Sequence, residues 1–349
     1  MFEANALPVL IGSLPLTDHD EAARLVLKYT PDIPLWVQLP HYPEERLLSQ
    51  FSEGLPGIMQ DGGRIWFKTN GPEFEKKLMA FYEQYLAVTE GTTSLEGSIF
   101  SFSNTTDKGF RAFIKAVSAL EQRPVALKGQ ITGPFTMLTG LKDDDGRMAY
   151  FNPTLREVVV KAIALKARYQ IEAMKAVSGR VIIFLDEPAL SGFGSSGMIG
   201  IPKEDVISDI TEIISSIHQA GGMSGIHVCA NTDWPLVFST PLDILSFDAY
   251  GFFDRIILFR ERLVKFIESS KIIAWGIVPT LNEEDLKRED IKDLKARWDR
   301  CADSLGADPD LIRKMALITP SCGTGLLSKE LSIKALSLTR DLSNAIRGL

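Results

Sequence analysis

The fold class is decided by the stretch Arg180-Val181-Ile182-Ile183-Phe184-Leu185-Asp186-Glu187-Pro188, near the middle of the sequence. Its unbroken run of β-branched and other apolar residues predicts a strand that is buried on both faces. Strands of this kind belong to parallel sheets, because helices cover both faces of such sheets. The run ends in two carboxylates, Asp186 and Glu187, so the end of this strand also carries groups that a functional site can use.

Seven further apolar stretches predict strands, and each is followed by a helical pattern. Alternating strands and helices indicate parallel βαβ units, and eight such units favour a closed barrel over an open sheet. The sequence therefore predicts an α/β fold of the (β/α)8 TIM-barrel class. The alternative is an open doubly wound sheet, but no glycine-rich dinucleotide-binding fingerprint follows the first strand. The eight predicted strands are residues 8–15, 33–39, 124–130, 180–188, 222–231, 242–248, 271–278 and 316–319.

The segment between the second and third predicted strands is too long for an ordinary connection. Helical patterns at residues 73–89 and 106–121 occur within it, together with a turn at Asp61-Gly62-Gly63. We therefore predict a long helical insertion after strand 2, at about residues 41–122, that covers one end of the fold. No linker divides the sequence, so residues 1–349 are predicted to form a single barrel domain.

Composition excludes several classes of protein. The sequence has 349 residues, of which 45% are hydrophobic and 24% charged, so it can form a large core. A formal net charge of -7 with scattered basic residues argues against nucleic acid or an anionic membrane as the main partner. The first residues lack the features of a signal peptide, and no apolar run reaches spanning length. We therefore expect a soluble cytoplasmic protein, whose oligomeric state the sequence does not predict.

Two metal-ligating side chains lie in the predicted fifth strand, Gly222-Met223-Ser224-Gly225-Ile226-His227-Val228-Cys229-Ala230-Asn231. Because side chains alternate between the faces of a strand, His227 and Cys229 must point to the same side. Asp248 ends the sixth strand and Cys322 follows the eighth. The active site of a TIM barrel lies at the carboxyl ends of its strands, so these four side chains can converge there on a zinc ion.

This ligand set favours zinc that exchanges a ligand with a substrate. Two thiolates and one carboxylate are more negative than a structural ion needs, and zinc lowers the pKa of a bound thiol. Two other interpretations stay open, namely a structural zinc and a site without metal in which the cysteines are core residues. The third cysteine, Cys301, lies in a charged helical stretch and is expected to be incidental. Three cysteines are an odd number, so a disulfide framework is not expected.

At these residues the sequence resembles the catalytic domain of cobalamin-independent methionine synthase, in the barrel superfamily that includes uroporphyrinogen decarboxylase and corrinoid-linked methyltransferases. The resemblance covers nearly the whole chain. The motifs that carry it are Ile11-Gly12-Ser13, Lys128-Gly129-Gln130-Ile131-Thr132-Gly133-Pro134, Asp186-Glu187-Pro188-Ala189-Leu190, His227-Val228-Cys229 and Pro320-Ser321-Cys322-Gly323.

The resemblance implies roles for specific residues. In that family His, Cys, Glu and Cys hold zinc, which implies His227, Cys229 and Cys322 as ligands and the shorter Asp248 at the position of the glutamate. It implies that Ile11, Gly12 and Ser13 bind the carboxylate of an amino-acid substrate and that Asp186 binds its ammonium group. Two family residues have no counterpart: a glutamate expected at residues 38–41 and a histidine acid expected at residues 277–280.

The function expected from this resemblance is zinc-dependent methyl transfer to a thiol that is homocysteine-like or coenzyme M-like. The family's full-length enzyme has a second, N-terminal barrel that contributes to folate binding and is missing from this sequence. We therefore expect the donor to be a methylated corrinoid, either a corrinoid protein or methylcobalamin. The alternatives are a methyltetrahydrofolate-dependent methionine synthase, a uroporphyrinogen decarboxylase-like enzyme without metal, and a non-catalytic corrinoid or zinc carrier.

Overall fold

The computed structural model describes residues 2–349. The strands of this range are β1 (Leu7–Pro8), β2 (Ile58–Asp61), β3 (Arg64–Phe67), β4 (Leu127–Thr132), β5 (Val181–Asp186), β6 (Met223–Val228), β7 (Ile244–Phe247), β8 (Ile272–Val278) and β9 (Ala316–Pro320). Seven of them form one curled parallel sheet in the order β1-β9-β8-β7-β6-β5-β4. Every residue of β4, β5 and β8 is buried, as expected for strands that are covered on both faces.

The prediction of a closed barrel with eight regular strands is wrong at the first two strands. The predicted second strand, residues 33–39, makes only isolated parallel bridges, from Leu35 to Lys128 of β4 and from Gln38 to Ser13 beyond β1. The first strand is also shorter than predicted. Pro8 and Pro34 lack an amide hydrogen, which limits the number of consecutive ladder bonds in these segments. The sheet is therefore TIM-barrel-like, a curled half-barrel whose two edges are connected through residues 34–38.

Helices follow the sheet strands and cover the outside of the sheet. Side-chain caps begin several of them. The side chain of Asn152, for example, accepts hydrogen bonds from the amides of Thr154 and Leu155 at the start of the helix Pro153–Lys175. None of the helices within residues 2–349 has the length and apolarity needed to cross a bilayer. The α-helices are α1 (His19–Tyr29), α2 (Leu47–Ser52), α3 (Pro72–Thr89), α4 (Lys108–Ser118), α5 (Pro134–Gly140), α6 (Pro153–Lys175), α7 (Lys203–Gln219), α8 (Trp234–Val237), α9 (Ala249–Ile256), α10 (Arg260–Glu268), α11 (Glu283–Arg288), α12 (Ile291–Leu305), α13 (Pro309–Lys314) and α14 (Lys329–Arg347).

The segment at residues 41–122 contains α2, the β2–β3 hairpin, α3 and α4. The two helices predicted there correspond to α3 and α4. Sequence analysis found the turn but missed the hairpin, in which Gly62 and Gly63 both have positive φ, as a tight two-residue turn requires. The segment packs on the rest of the fold through an aromatic cluster, in which Trp36 meets Phe51 and Phe110 edge to face.

Candidate metal centre

Three of the four predicted zinc ligands lie together at the carboxyl edge of the sheet. His227 lies in β6, Cys229 directly follows β6, and Cys322 lies two residues beyond β9. One imidazole nitrogen and the two Sγ atoms lie within 4.8 Å of one another. Strand periodicity explains why His227 and Cys229 share a face. The curl of the sheet brings Cys322 to them from a strand three positions away.

The ring of His227 is held in one orientation. Its Nδ1 lies 2.9 Å from the hydroxyl of Ser246, which is opposite His227 in the register of β6 and β7. Its Nε2 is buried and has no hydrogen-bond partner among the described residues. A buried nitrogen without a partner is costly in an apolar interior. The free Nε2 is therefore the ring atom that is available to a ligand.

The two thiols of the cluster, Cys229 and Cys322, shift each other's pKa in opposite directions. A hydrogen bond from the thiol of Cys322 is the main cause that lowers the pKa of Cys229, and the imidazole of His227 acts in the same direction. The same hydrogen bond, together with burial, raises the pKa of Cys322. The two thiols therefore do not ionise independently of each other. A bound cation removes the need for a proton between them, because it stabilises both thiolates.

The donor atoms fit a tetrahedral zinc ion. Bonds of about 2.0 to 2.3 Å place neighbouring ligand atoms of such a site about 3.5 to 3.8 Å apart. The observed spread of up to 4.8 Å requires a contraction of about an ångström at most, which rotation of the cysteine side chains can supply. His227, Cys229 and Cys322 would hold the ion.

Asp248 does not belong to this cluster of donor atoms. Its carboxylate accepts the amide of Gly251 at 2.7 Å and thereby caps α9. Burial raises the pKa of Asp248 to about 6, although the hydrogen bond from Gly251 opposes this shift. A fourth zinc ligand at Asp248 stays a prediction.

A cavity of about 460 Å³ opens beside the cluster. Ile11, Gly12 and Ser13 lie in its wall, and the amides of Gly12 and Ser13 donate no hydrogen bond within residues 2–349. The wall also contains Arg46, an exposed residue whose guanidinium donates to the carbonyl of Pro40 at 3.3 Å. The wall of the cavity therefore includes two residues with unpaired amides and, at its exposed rim, an arginine.

Asp186 supplies a carboxylate to the same wall. Its side chain is 7% exposed, and Oδ1 is buried without a hydrogen-bond partner in the described part of the chain. Burial raises the pKa of Asp186 to about 6, whereas the nearby Lys128 and His227 lower it. A buried carboxylate oxygen without a partner favours a cationic hydrogen-bond donor beside it.

Sequence analysis assigned no role to two buried charged residues that contact segments near the cavity, Lys128 and Glu45. Lys128 of β4 is fully buried and donates to the carbonyl of Ile11 at 2.5 Å. A lysine within an otherwise buried strand was a sequence signal for a buried charge. Glu45 lies in the cavity wall, where it binds His19 Nε2 at 2.6 Å and the amide of Leu39 at 2.8 Å. No local pattern distinguishes Glu45 from the neighbouring Glu44, because its burial depends on these long-range contacts.

The fold and the cluster define a class: an α/β half-barrel protein with an imidazole and two thiols beside a cavity at the carboxyl edge of the sheet. No family model matches the chain, and no curated protein matches it. The fold is similar to the crystal structure of a Listeria monocytogenes protein provisionally described as a vitamin-B12 independent methionine synthase. That similarity has a TM-score of 0.57 and 16% sequence identity over 97% of each chain, and at this identity it shows the fold alone.

Replacing Ser246 by alanine is expected to lower zinc affinity about 10- to 100-fold, because the hydroxyl fixes the orientation of His227. Competition with a chromogenic chelator measures this affinity. The control is Ser343→Ala, which removes a buried hydroxyl on α14 that donates to the carbonyl of Ala6. Unchanged affinity in Ser246→Ala, or an equal loss in both variants, would contradict the role of Ser246.

Proposed function

We propose that the protein is a zinc-dependent methyltransferase that moves a methyl group to a small thiol. The observation that carries the proposal is the convergence of His227 Nε2, Cys229 Sγ and Cys322 Sγ beside a cavity of about 460 Å³. A structural zinc site is normally closed by four protein ligands, whereas three ligands next to a cavity leave room for a substrate. Zinc would lower the pKa of the acceptor thiol, so that the thiolate is available at neutral pH.

The residues of the chain orient the acceptor and exclude water from it. The thiolate sulfur would attack the methyl carbon in line. A carbon–sulfur bond forms, the bond between the methyl carbon and the donor atom breaks, and the electron pair of that bond leaves with the donor. Holding the two reactants in this geometry supplies much of the rate enhancement in a reaction of this kind. The apolar wall residues Leu47 and Pro188 would keep the sulfur in a partly dry environment, which strengthens its nucleophilicity.

A homocysteine-like acceptor fits the cavity better than a coenzyme M-like acceptor. The unpaired Oδ1 of Asp186 favours an ammonium group, which coenzyme M lacks. The free amides of Gly12 and Ser13, with Arg46 at the rim, suit the carboxylate of an amino acid. The ammonium group and the carboxylate of an amino-acid thiol would therefore each have a complementary partner.

A methylated corrinoid is our proposed donor. A cavity of about 460 Å³ holds an amino acid, and a corrin ring exceeds this volume, so such a donor would present its methyl group at the opening. Loss of a methyl group from the nitrogen of a folate needs an acid, whereas loss from cobalt needs none. Thr280 and the three residues before it, where the resembling family has a histidine acid, include no group that is acidic at neutral pH.

The test is a methyl-transfer assay with purified, zinc-loaded protein. Homocysteine or coenzyme M is mixed with methylcobalamin or methyltetrahydrofolate, and the thioether product is measured by mass spectrometry. We expect methionine from homocysteine and methylcobalamin, and none from a Cys229→Ala variant.

The other outcomes are distinct. Turnover with the folate alone would overturn the donor assignment and leave the zinc-dependent reaction standing. Bound zinc without transfer to either thiol would overturn the proposed reaction. Absence of zinc together with decarboxylation of a porphyrinogen would favour the decarboxylase alternative.

A further inference from the structure

We propose that Thr280 is a positioning residue that sets the place of the Cys322 sulfur before the metal binds. This inference rests on the proposed zinc site and adds a residue to it. Thr280 lies two residues beyond β8 and is 4% exposed, so its hydroxyl is buried beside the loop that carries Cys322.

The hydroxyl of Thr280 contacts both peptide groups of Cys322. The amide of Cys322 donates to Thr280 Oγ1 at 2.9 Å, and Oγ1 donates to the carbonyl of Cys322 at 3.1 Å. One hydroxyl supplies one donor and two acceptor positions. The second acceptor position faces the hydroxyl of Ser321, whose Oγ lies 3.1 Å away. The hydrogen-bonding capacity of Thr280 is therefore fully used.

Ser321 fixes Thr280 in turn. Its Oγ accepts the amide of Thr280 at 3.0 Å, and the amide of Ser321 donates to the carbonyl of Val278 at 2.8 Å. Ser321 is 1% exposed. The ends of β8 and β9 are thus joined by a closed set of hydrogen bonds, of which the Thr280 hydroxyl is the part that reaches Cys322.

The other side of Cys322 is also closely packed. A Cβ atom at Gly323 would lie 2.3 Å from Ser13 Oγ, so Ser13 packs directly against the backbone that follows Cys322. With its amide and carbonyl both bound by Thr280, Cys322 retains mainly rotation about its Cα–Cβ bond. The sulfur is therefore preorganised to meet Cys229 and His227, and ordering it costs little when the metal binds.

The experiment compares Thr280→Val, which keeps the shape and loses the hydroxyl, with Thr280→Ser, which keeps the hydroxyl. Zinc affinity is measured by chelator competition, and the cobalt-substituted proteins are compared by their visible absorption. We expect Thr280→Val to bind zinc about 10- to 100-fold more weakly with an altered cobalt spectrum, and Thr280→Ser to stay within about threefold of the natural protein.

A metal-independent measurement separates this inference from the proposed function. In metal-free protein, alkylation of Cys322 by iodoacetamide, followed by peptide mass spectrometry, should be faster in Thr280→Val than in Thr280→Ser. The matched control is Thr339→Val, because Thr339 is fully buried on α14 and donates to the carbonyl of Ala335 at 2.8 Å. Removal of the Thr339 hydroxyl should change neither the zinc affinity nor the rate of Cys322 alkylation.

The result that would overturn the inference is a Thr280→Val protein with unchanged zinc affinity, cobalt spectrum and alkylation rate, or a Thr280→Ser protein as impaired as Thr280→Val. If Thr280→Val does not fold, Ser321→Ala loosens Thr280 and leaves the Cys322 amide paired. It should then weaken zinc binding severalfold, and unchanged affinity would overturn the inference. If the natural protein binds no zinc, the proposed function fails, whereas faster alkylation in Thr280→Val would still support the positioning role.

Discussion

Replacement of Cys322 by alanine is expected to reduce bound zinc from about one equivalent per chain to below about a tenth, because the ion loses one of three converging ligands. Methyl transfer at pH 7 should fall by about thirtyfold or more, because a free thiol with a pKa of about 8.5 is then only a few per cent ionised. Metal analysis after desalting and circular dichroism of the same sample measure the two effects. The fold should persist, because the carboxyl edge of the sheet contributes little to its core.

The control for this variant is Cys301→Ala. Cys301 lies on α12, is 6% exposed, and has its thiol pKa raised to about 11 by burial, as in a structural cysteine. Its removal should leave the zinc content unchanged and cost only packing energy. Full zinc in Cys322→Ala, or equal loss in both variants, would contradict the assignment of the metal ligands.

Replacement of Asp186 by asparagine is expected to raise the KM for an amino-acid thiol by about 10- to 150-fold, with kcat much less affected. The change removes a charge-assisted hydrogen bond to an ammonium group, which contributes about 1.5 to 3 kcal/mol. Steady-state kinetics with the thiol as the varied substrate measures it. A thiol without an ammonium group should not lose affinity in this variant.

A suitable control for Asp186→Asn is Asp233→Asn. Asp233 caps α8 and pairs with Lys203 at 3.1 Å, and asparagine can still cap a helix. Its KM should stay within about twofold of the natural value, in line with the small effect of most surface substitutions. Equal loss of affinity for thiols with and without an ammonium group would refute the role of Asp186.

The parallel sheet could be predicted because its strands are continuous apolar runs. Residues 180–188 contain β5 (Val181–Asp186), and residues 222–231 contain β6 (Met223–Val228). The prediction of a regular second strand was wrong, because regular pairing depends on the two neighbouring strands. The sequence of residues 33–39 alone carries no information about those neighbours. Its bridges to Lys128 and Ser13 fall at different positions along the segment. Hydrophobicity therefore predicted its place in the fold but not its regularity.

The site was predictable to the extent that it follows from strand periodicity and strand ends. That argument predicted His227, Cys229 and Cys322, whose donor atoms lie together. It did not predict that the carboxylate of Asp248 would accept the amide of Gly251, three residues ahead, although aspartate is a preferred residue at the start of a helix. The contact of Ser246 with His227 could have been predicted by aligning the neighbouring parallel strands β6 and β7.

The position of β1 at the edge of the sheet, beside β9, affects how the chain can fold while it is being synthesised. Leu7 pairs with Leu317, and the segment that we propose for acceptor binding is held from the far end of the chain, where the amides of Thr324 and Gly325 donate to Ser13. At about 5 to 20 residues per second, a ribosome needs about 15 to 60 s to make the intervening chain. During that time β1 has no β9 beside it. The nascent protein therefore exposes an unpaired strand and lacks the wall that we propose for acceptor binding until residue 325 has emerged.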